Sequence, residues 1–233
     1  MRHFFLSALV VVAMTGCALA GDLPTTKNGP APVPPPAFSW GGLYVGGDIG
    51  GSWGAVRHSF SNGAPSGASD PSGVIGGGYV GYNHQIGSFV VGVEADGQGS
   101  GVNGGYVIPT FGSSAGSTHM DWEAAFRARL GYAFDHVLLY AASGMAVGGF
   151  RYGGGPGFGA PIPCCGFSDT QTGITIGAGA EYAITDHVIG RVEYRYNQFS
   201  TSAGGLSPTY PGVTMSVNND GYSEVRAGVA YKF

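Results

Sequence analysis

The stretch "MDWEAAFRARLGYAF", residues 120–134, alternates without a break. Met120, Trp122, Ala124, Phe126, Ala128, Leu130, Tyr132 and Phe134 share one parity, and Asp121, Glu123, Arg127 and Arg129 share the other. A period of two sustained this far predicts a β-strand with one apolar and one charged face, because a helix would spread both kinds of residue around its circumference. So long a strand needs partners on both edges and two different solvents on its two faces.

The same pattern recurs along the chain. "GLYVGGDIGGSWG" sets Leu43, Val45, Ile49 and Trp53 against Asp48, and "GYVGYNHQI" sets Val80, Tyr82 and Ile86 against Asn83 and Gln85. After Gly87-Ser88, a link short enough for a tight hairpin, "FVVGVEADG" places Phe89, Val91, Val93 and Ala95 opposite Glu94 and Asp96. Beyond Asp135-His136 the parity of "VLLYAASGMAVGGF" is weak, and Leu138, Tyr140 and Phe150 are read as its outer face. "GITIGAGAEYAI" sets Ile174, Ile176, Ala178, Ala180, Tyr182 and Ile184 against Glu181. Thr185-Asp186-His187 leads to "VIGRVEYRYNQF", with Val188, Val192, Tyr194 and Tyr196 against Arg191, Glu193 and Arg195. The closing "GYSEVRAGVAYKF" places Val225, Ala227, Val229, Tyr231 and Phe233 opposite Glu224, Arg226 and Lys232.

Eight strands result, joined alternately by three short turns and four long loops, at roughly Gly54–Ser72, Ser100–Ser117, Arg151–Thr170 and Ser200–Asp220. Short turns on one side and long Gly/Ser/Pro/Asn-rich loops on the other are the asymmetry of a transmembrane barrel with periplasmic turns and outer loops. Residues 1–20, "MRHFFLSALVVVAMTGCALA", read as a secretory signal peptide with Arg2 at its positive end and Ala18-Leu19-Ala20 before the cut. Thr15-Gly16-Cys17 offers lipoprotein processing at Cys17 as the alternative. Residues 21–39 form a Pro-rich periplasmic tether, extended and unable to build helix or sheet. Residues 40–233 form the barrel.

Fourteen charged residues fall within the strands, opposite the aromatics wherever a strand holds several. Charged types make up only 10% of the chain, against ~25% in ordinary soluble domains. A soluble β-sandwich also has one apolar and one polar face, so parity alone leaves both open. Strand length, loop asymmetry, the leader and the terminal aromatic residue favour an all-β, eight-stranded antiparallel up-and-down transmembrane barrel. The final strand must then close against the first around Tyr44 and Val45, since an open edge in hydrocarbon leaves backbone groups unsatisfied. The formal charge of −4 and the lack of a basic cluster exclude a nucleic-acid partner.

The chain resembles the small outer-membrane β-barrel proteins of alphaproteobacteria, and its layout is similar to the OmpA-type transmembrane domain. The resemblance rests on "WGGLYVGGDIGGSWG" after a proline-rich lead, "VIGGGYVGYNHQIGSFVVGVEAD", "GAGAEYAITDHVIGRVEYRY" and the closing "EVRAGVAYKF". It covers Trp40 to Phe233, with loops that match nothing specific, and departs at His84, where the family's girdle favours an aromatic residue. It implies a location in the outer membrane of a Gram-negative bacterium and a role as surface antigen or envelope-stabilising protein. Some members are labelled porins and a few bind hemin. It also implies that Tyr231 and Phe233 form a C-terminal signal read by the β-barrel assembly machinery.

The inward set is Asp48, Glu94, Asp96, Asp121, Glu123, Glu181, Glu193 and Glu224 against Arg127, Arg129, Arg191, Arg195, Arg226 and Lys232. An eight-stranded lumen is just wide enough for side chains to fill, so near-balanced charges predict a plug of ion pairs. A narrow water or ion path lined by the same residues is the alternative, and with it small-solute transport or hemin capture. His58 and Ser59 adjoin, with Ser61 beyond, but no acid lies near them in sequence, so no catalytic site is assigned. His58, His84, His119, His136 and His187 are scattered singly, which gives no metal cluster and no cofactor. His58 with His119 over the outer mouth is the one pairing suited to a heme iron. Cys164-Cys165 leaves a vicinal disulfide, an interchain link and free thiols all open. The expected partners are outer-membrane lipid and lipopolysaccharide, the assembly machinery, and surface ligands met through the long loops, for a monomeric protein.

Overall fold

The computed structural model describes residues 38–63, 67–107, 114–154, 167–200, 202–206, 212 and 214–233. Among them lie ten strands: β1 (Gly42–Phe60), β2 (Gly67–Ser69), β3 (Ser72–Ile86), β4 (Phe89–Val107), β5 (Ser114–Phe134), β6 (Val137–Gly154), β7 (Phe167–Ala183), β8 (Val188–Phe199), β9 (Ser202–Leu206) and β10 (Thr214–Lys232). They make eight staves, because β2 prolongs β3 along β1 and β9 prolongs β8 along β10. Every pairing is antiparallel between neighbours, and β10 returns to β1 with Tyr44 facing Lys232 and Val45 facing Tyr231. Closure removes the free edges that hydrocarbon cannot tolerate.

The register sets the size of the barrel. From Ser52, the Cα partners run through Glu224, Arg195, Gly177, Ala142, Arg129, Gly92 and Asn83 to Gly42, ten residues below the start. With ~4.8 Å between strands and ~3.3 Å per residue, that stagger fixes a strand tilt of about 41° and a backbone radius of about 8 Å. Equal heights on adjacent staves are therefore offset from hydrogen-bonded register by about 1.25 residues.

Three tight connections close one end, at Gly87-Ser88, Asp135-His136 and residues 184–187. Gly87 and Asp135 take the positive φ, 60° and 54°, that these turns need. The outer wall is apolar, with Ile49, Phe126, Ile174, Val192 and Val229 all exposed. Trp122 and Tyr132 both face outward on β5, ten residues apart, which spans about 25 Å along the barrel axis and matches the height of a lipid-facing band. Phe89, Tyr132 and Phe134 cluster at the short-turn end, with centroids 5.2 and 4.7 Å apart, as do Tyr231 and Phe233.

Three expectations need correction. The strands run well past the expected loop starts, since Gly54–Phe60, Ser100–Val107 and Arg151–Gly154 continue hydrogen-bonded ladders. Glycine and serine carry no parity, so these extensions read as loop. Second, Leu138, Tyr140 and Phe150 point into the barrel, not out of it. The outward residues of β6 include Leu139 and Met145, and the run Ala141-Ala142 hides the alternation. Third, a bulge in β5 between Met120 and Trp122 breaks the parity there. Met120 is consequently buried instead of lipid-facing.

Apolar side chains close the interior at both ends. At the short-turn end Trp40, Tyr44, Val90, Leu138 and Ile189 pack together, and at the loop end Val56, Met120, Phe150, Phe199 and Tyr222 do so. Two tyrosines lie flat against the wall because the facing residue has no side chain. Tyr44 on β1 covers Gly81 of β3, while Tyr79 on β3 covers Gly46 of β1. A Cβ on Gly81 would stand 2.2 Å from the Tyr44 hydroxyl.

Candidate functional site in the barrel lumen

The acids of "EAD" on β4 and the bases of "RVEYR" on β8 gain their meaning from the closure. β4 and β8 stand four staves apart in a wall of eight, so they face each other across the lumen. Arg191 donates two hydrogen bonds to Glu94, at 2.7 and 2.9 Å, and Arg195 donates two to Asp96, both at 3.0 Å. These are forked, charge-assisted pairs that join opposite walls. Neighbouring β5 adds Arg127, which reaches Glu94 at 2.5 Å and Glu193 at 2.7 Å, and Arg129, which reaches Glu181 at 2.7 Å. Glu193 also accepts from Arg191 at 2.5 Å and from Arg195 Nε at 3.0 Å. Toward the loop end, Arg226 bonds Glu224 at 2.6 Å and Glu123, and Asn197 donates to Glu123 at 3.2 Å.

Five arginines and six carboxylates thus form one connected, buried array. Charges taken out of water must be partnered, and removal of one partner is far costlier than the net value of the pair. Tyrosines complete the array. The Tyr44 hydroxyl donates to Glu94 at 2.9 Å and the Tyr140 hydroxyl to Glu193 at 2.6 Å. The Arg129 guanidinium lies 4.0 Å from the Tyr140 ring centroid and that of Arg191 lies 4.4 Å from the Tyr79 centroid. Tyr44 and Tyr79 stand on the polar parity of their strands, with Asp48 and with Asn83 and Gln85, the one sequence signal that marked them.

The short-turn mouth carries a further element that sequence reasoning missed. Trp40 donates its backbone N–H to Gln85 Oε1 at 2.7 Å and its indole N–H to the Asp135 carbonyl at 3.1 Å. Phe38 meets its ring edge-on at 4.9 Å, and the Lys232 ammonium sits 4.3 Å from the Phe38 centroid.

A family model for the outer membrane protein beta-barrel domain matches residues 8–233. The chain belongs to the outer-membrane β-barrel family. It is 31% identical over 244 residues to the 31 kDa outer-membrane immunogenic protein of Brucella melitensis, with all of both chains covered. The 22 kDa outer membrane protein of Rhizobium leguminosarum bv. viciae is 32% identical over 210 residues, which cover 87% of this chain and 82% of that one. Among solved structures, the outer membrane protein OprG from Pseudomonas aeruginosa superposes with a TM-score of 0.57 at 12% identity, over 83% of this chain and 96% of that one. That likeness concerns the fold alone. The protein is one of the outer membrane.

Within this outer-membrane barrel, three residues expected in the charge array lie apart from it. The β5 bulge turns Asp121 away from the lumen, where it pairs with the exposed Arg151 instead. Lys232 bonds the Ser39 carbonyl oxygen at the mouth. Asp48 faces the lumen half-buried, with no ion pair to the array among the described residues. Tyr231 and Phe233 are exposed on the lipid side, and the Phe233 N–H bonds the Leu43 carbonyl at 2.9 Å. His84, His119, His136 and His187 all lie at exposed positions. His187 stacks on Tyr231 at 5.4 Å, and Asp135 Oδ2 lies 2.8 Å from His136 Nδ1. The His58 side chain, Cys164-Cys165, and the leader and tether through residue 37 lie outside the described residues.

Proposed function

We propose that the protein is a non-enzymatic, monomeric surface barrel that supports the envelope and presents its loop end to the exterior, with a lumen plugged by paired charges. The observation that carries this reading is the pair of forked bridges, Arg191 to Glu94 and Arg195 to Asp96, spanning the lumen between opposite walls. Apolar packing above and below the array supports it, because a permanent water path would need both mouths wetted. The immunogenic relative from Brucella melitensis supports surface presentation, since its name places it among outer-membrane antigens. On this reading lipid and lipopolysaccharide contact the exposed wall, and the loops carry any surface ligand. The exposed aromatic pair Tyr231 and Phe233 is presented to the assembly machinery. Liposome swelling tests the reading. Vesicles containing the refolded protein in isosmotic arabinose should swell no faster than protein-free vesicles, and rapid swelling would instead assign a small-solute porin.

A further inference from the structure

One layer of the lumen lies where the charge array gives way to the apolar seal at the loop end. After correction for strand tilt, Ser52, Gln98, Glu123, Thr175, Asn197 and Glu224 fall in a slab about 4 Å thick, at the upper edge of the array and beneath the aromatic cluster. The remaining two staves contribute Ile75 and Ala146 at that height. All six polar residues are more than nine-tenths buried. Five of them carry polar atoms that hydrogen-bond to no other group among the described residues: Ser52 Oγ, both amide atoms of Gln98, Thr175 Oγ1, Asn197 Oδ1 and Glu224 Oε1. Arg226 borders the slab from below, bonded to Glu123 and Glu224 and paired with Asp96, and the Tyr222 hydroxyl has no hydrogen bond among the described residues.

We infer that this slab is an internal binding site for a small cluster of water molecules, sealed from both mouths. The chemistry selects the ligand. A bare cation would suit the carboxylate and amide oxygens but not the guanidinium and amide donors beside them. An anion would meet Glu123 and Glu224. Water alone serves donors and acceptors together, and buried waters typically take two to four such partners. Ser52, Thr175 and Ala146 bring short side chains to that height of a wall of about 8 Å radius. Phe150, Phe199 and Tyr222, with centroids 5.2, 5.9 and 6.1 Å apart, form the seal toward the loop end. Exchange with bulk water then requires these rings to part, so the bound waters are long-lived. The inference goes beyond the proposed function but rests on its closed lumen, which liposome swelling tests separately.

Oxygen-17 relaxation dispersion of the refolded protein in micelles detects long-lived internal water directly. The wild type should show a clear dispersion, and the triple variant Gln98→Leu, Thr175→Val, Asn197→Leu should lose at least half of its amplitude. If the triple variant fails to refold, Thr175→Val alone is near-isosteric and carries the test. A lower amplitude with no gain in thermal stability supports the site, whereas an unchanged amplitude together with higher stability would show a dry layer relieved of an unpaired hydroxyl. A wild type without dispersion overturns the inference outright.

Discussion

Arg127 has no exposed surface, and its guanidinium joins Glu94 on the adjacent stave to Glu193 three staves away. Replacement by leucine takes one partner from each of Glu94 and Glu193 and leaves the buried array with six carboxylates to four arginines. Arg127→Leu should therefore lower unfolding stability by about 3–5 kcal/mol, measured by urea titration of the vesicle-inserted protein followed by tryptophan fluorescence. Arg151→Leu removes an ion pair in open solvent, to Asp121, and should leave the midpoint unchanged. Equal effects of the two would mean that burial does not decide the value of these charges. On the outer wall, Val192 is 57% exposed at mid-height. Val192→Arg should cost about 2–4 kcal/mol while Val192→Leu is tolerated, and indifference to both would place that face away from lipid.

At the scale of the strand, legibility followed side-chain contrast. β5, β8 and β10 alternate large apolar with charged residues, so their faces and most array members could be read directly from "FRARL", "RVEYR" and "EVRAG". β6 could not be read, because small residues carry no contrast, Tyr140 serves the charge array and Phe150 the interior seal. Asp121 was misplaced for another reason: a bulge is a property of two strands in register, and neither strand declares it alone. Single cysteines in β6 test the observed faces. Leu139→Cys should react with a membrane-phase maleimide and Leu138→Cys should not, while the reverse would restore the sequence-based assignment. The final strand has its own test. The Phe233 backbone N–H adds one bond to β1, but the ring lies outside the barrel. Deletion of Phe233 should reduce outer-membrane insertion in cells and leave detergent refolding largely intact. Normal levels in cells would remove the recognition role.

At the scale of the barrel, the pattern of strands and the closure around Tyr44 and Val45 followed from the sequence, whereas the partners across the lumen did not. The link between Arg191 and Glu94 joins residues 97 positions apart, and it exists only because ten residues of stagger bring those heights together. Loop length was overestimated, since ladder hydrogen bonds persist where composition turns to glycine and serine. Orientation is open to test through the turns. An epitope inserted at the exposed Gly63 turn should label on intact cells, and one at Asp135 only after permeabilisation. The opposite labelling would invert the barrel. The central claim, that cross-lumen ion pairs within apolar seals close the interior, is tested most directly by single-channel recording in planar bilayers. Purified, refolded protein should give a flat baseline at applied voltages that leave the bilayer intact. Reproducible unitary steps from the wild type would contradict the account, for they would require a continuous water path through the array.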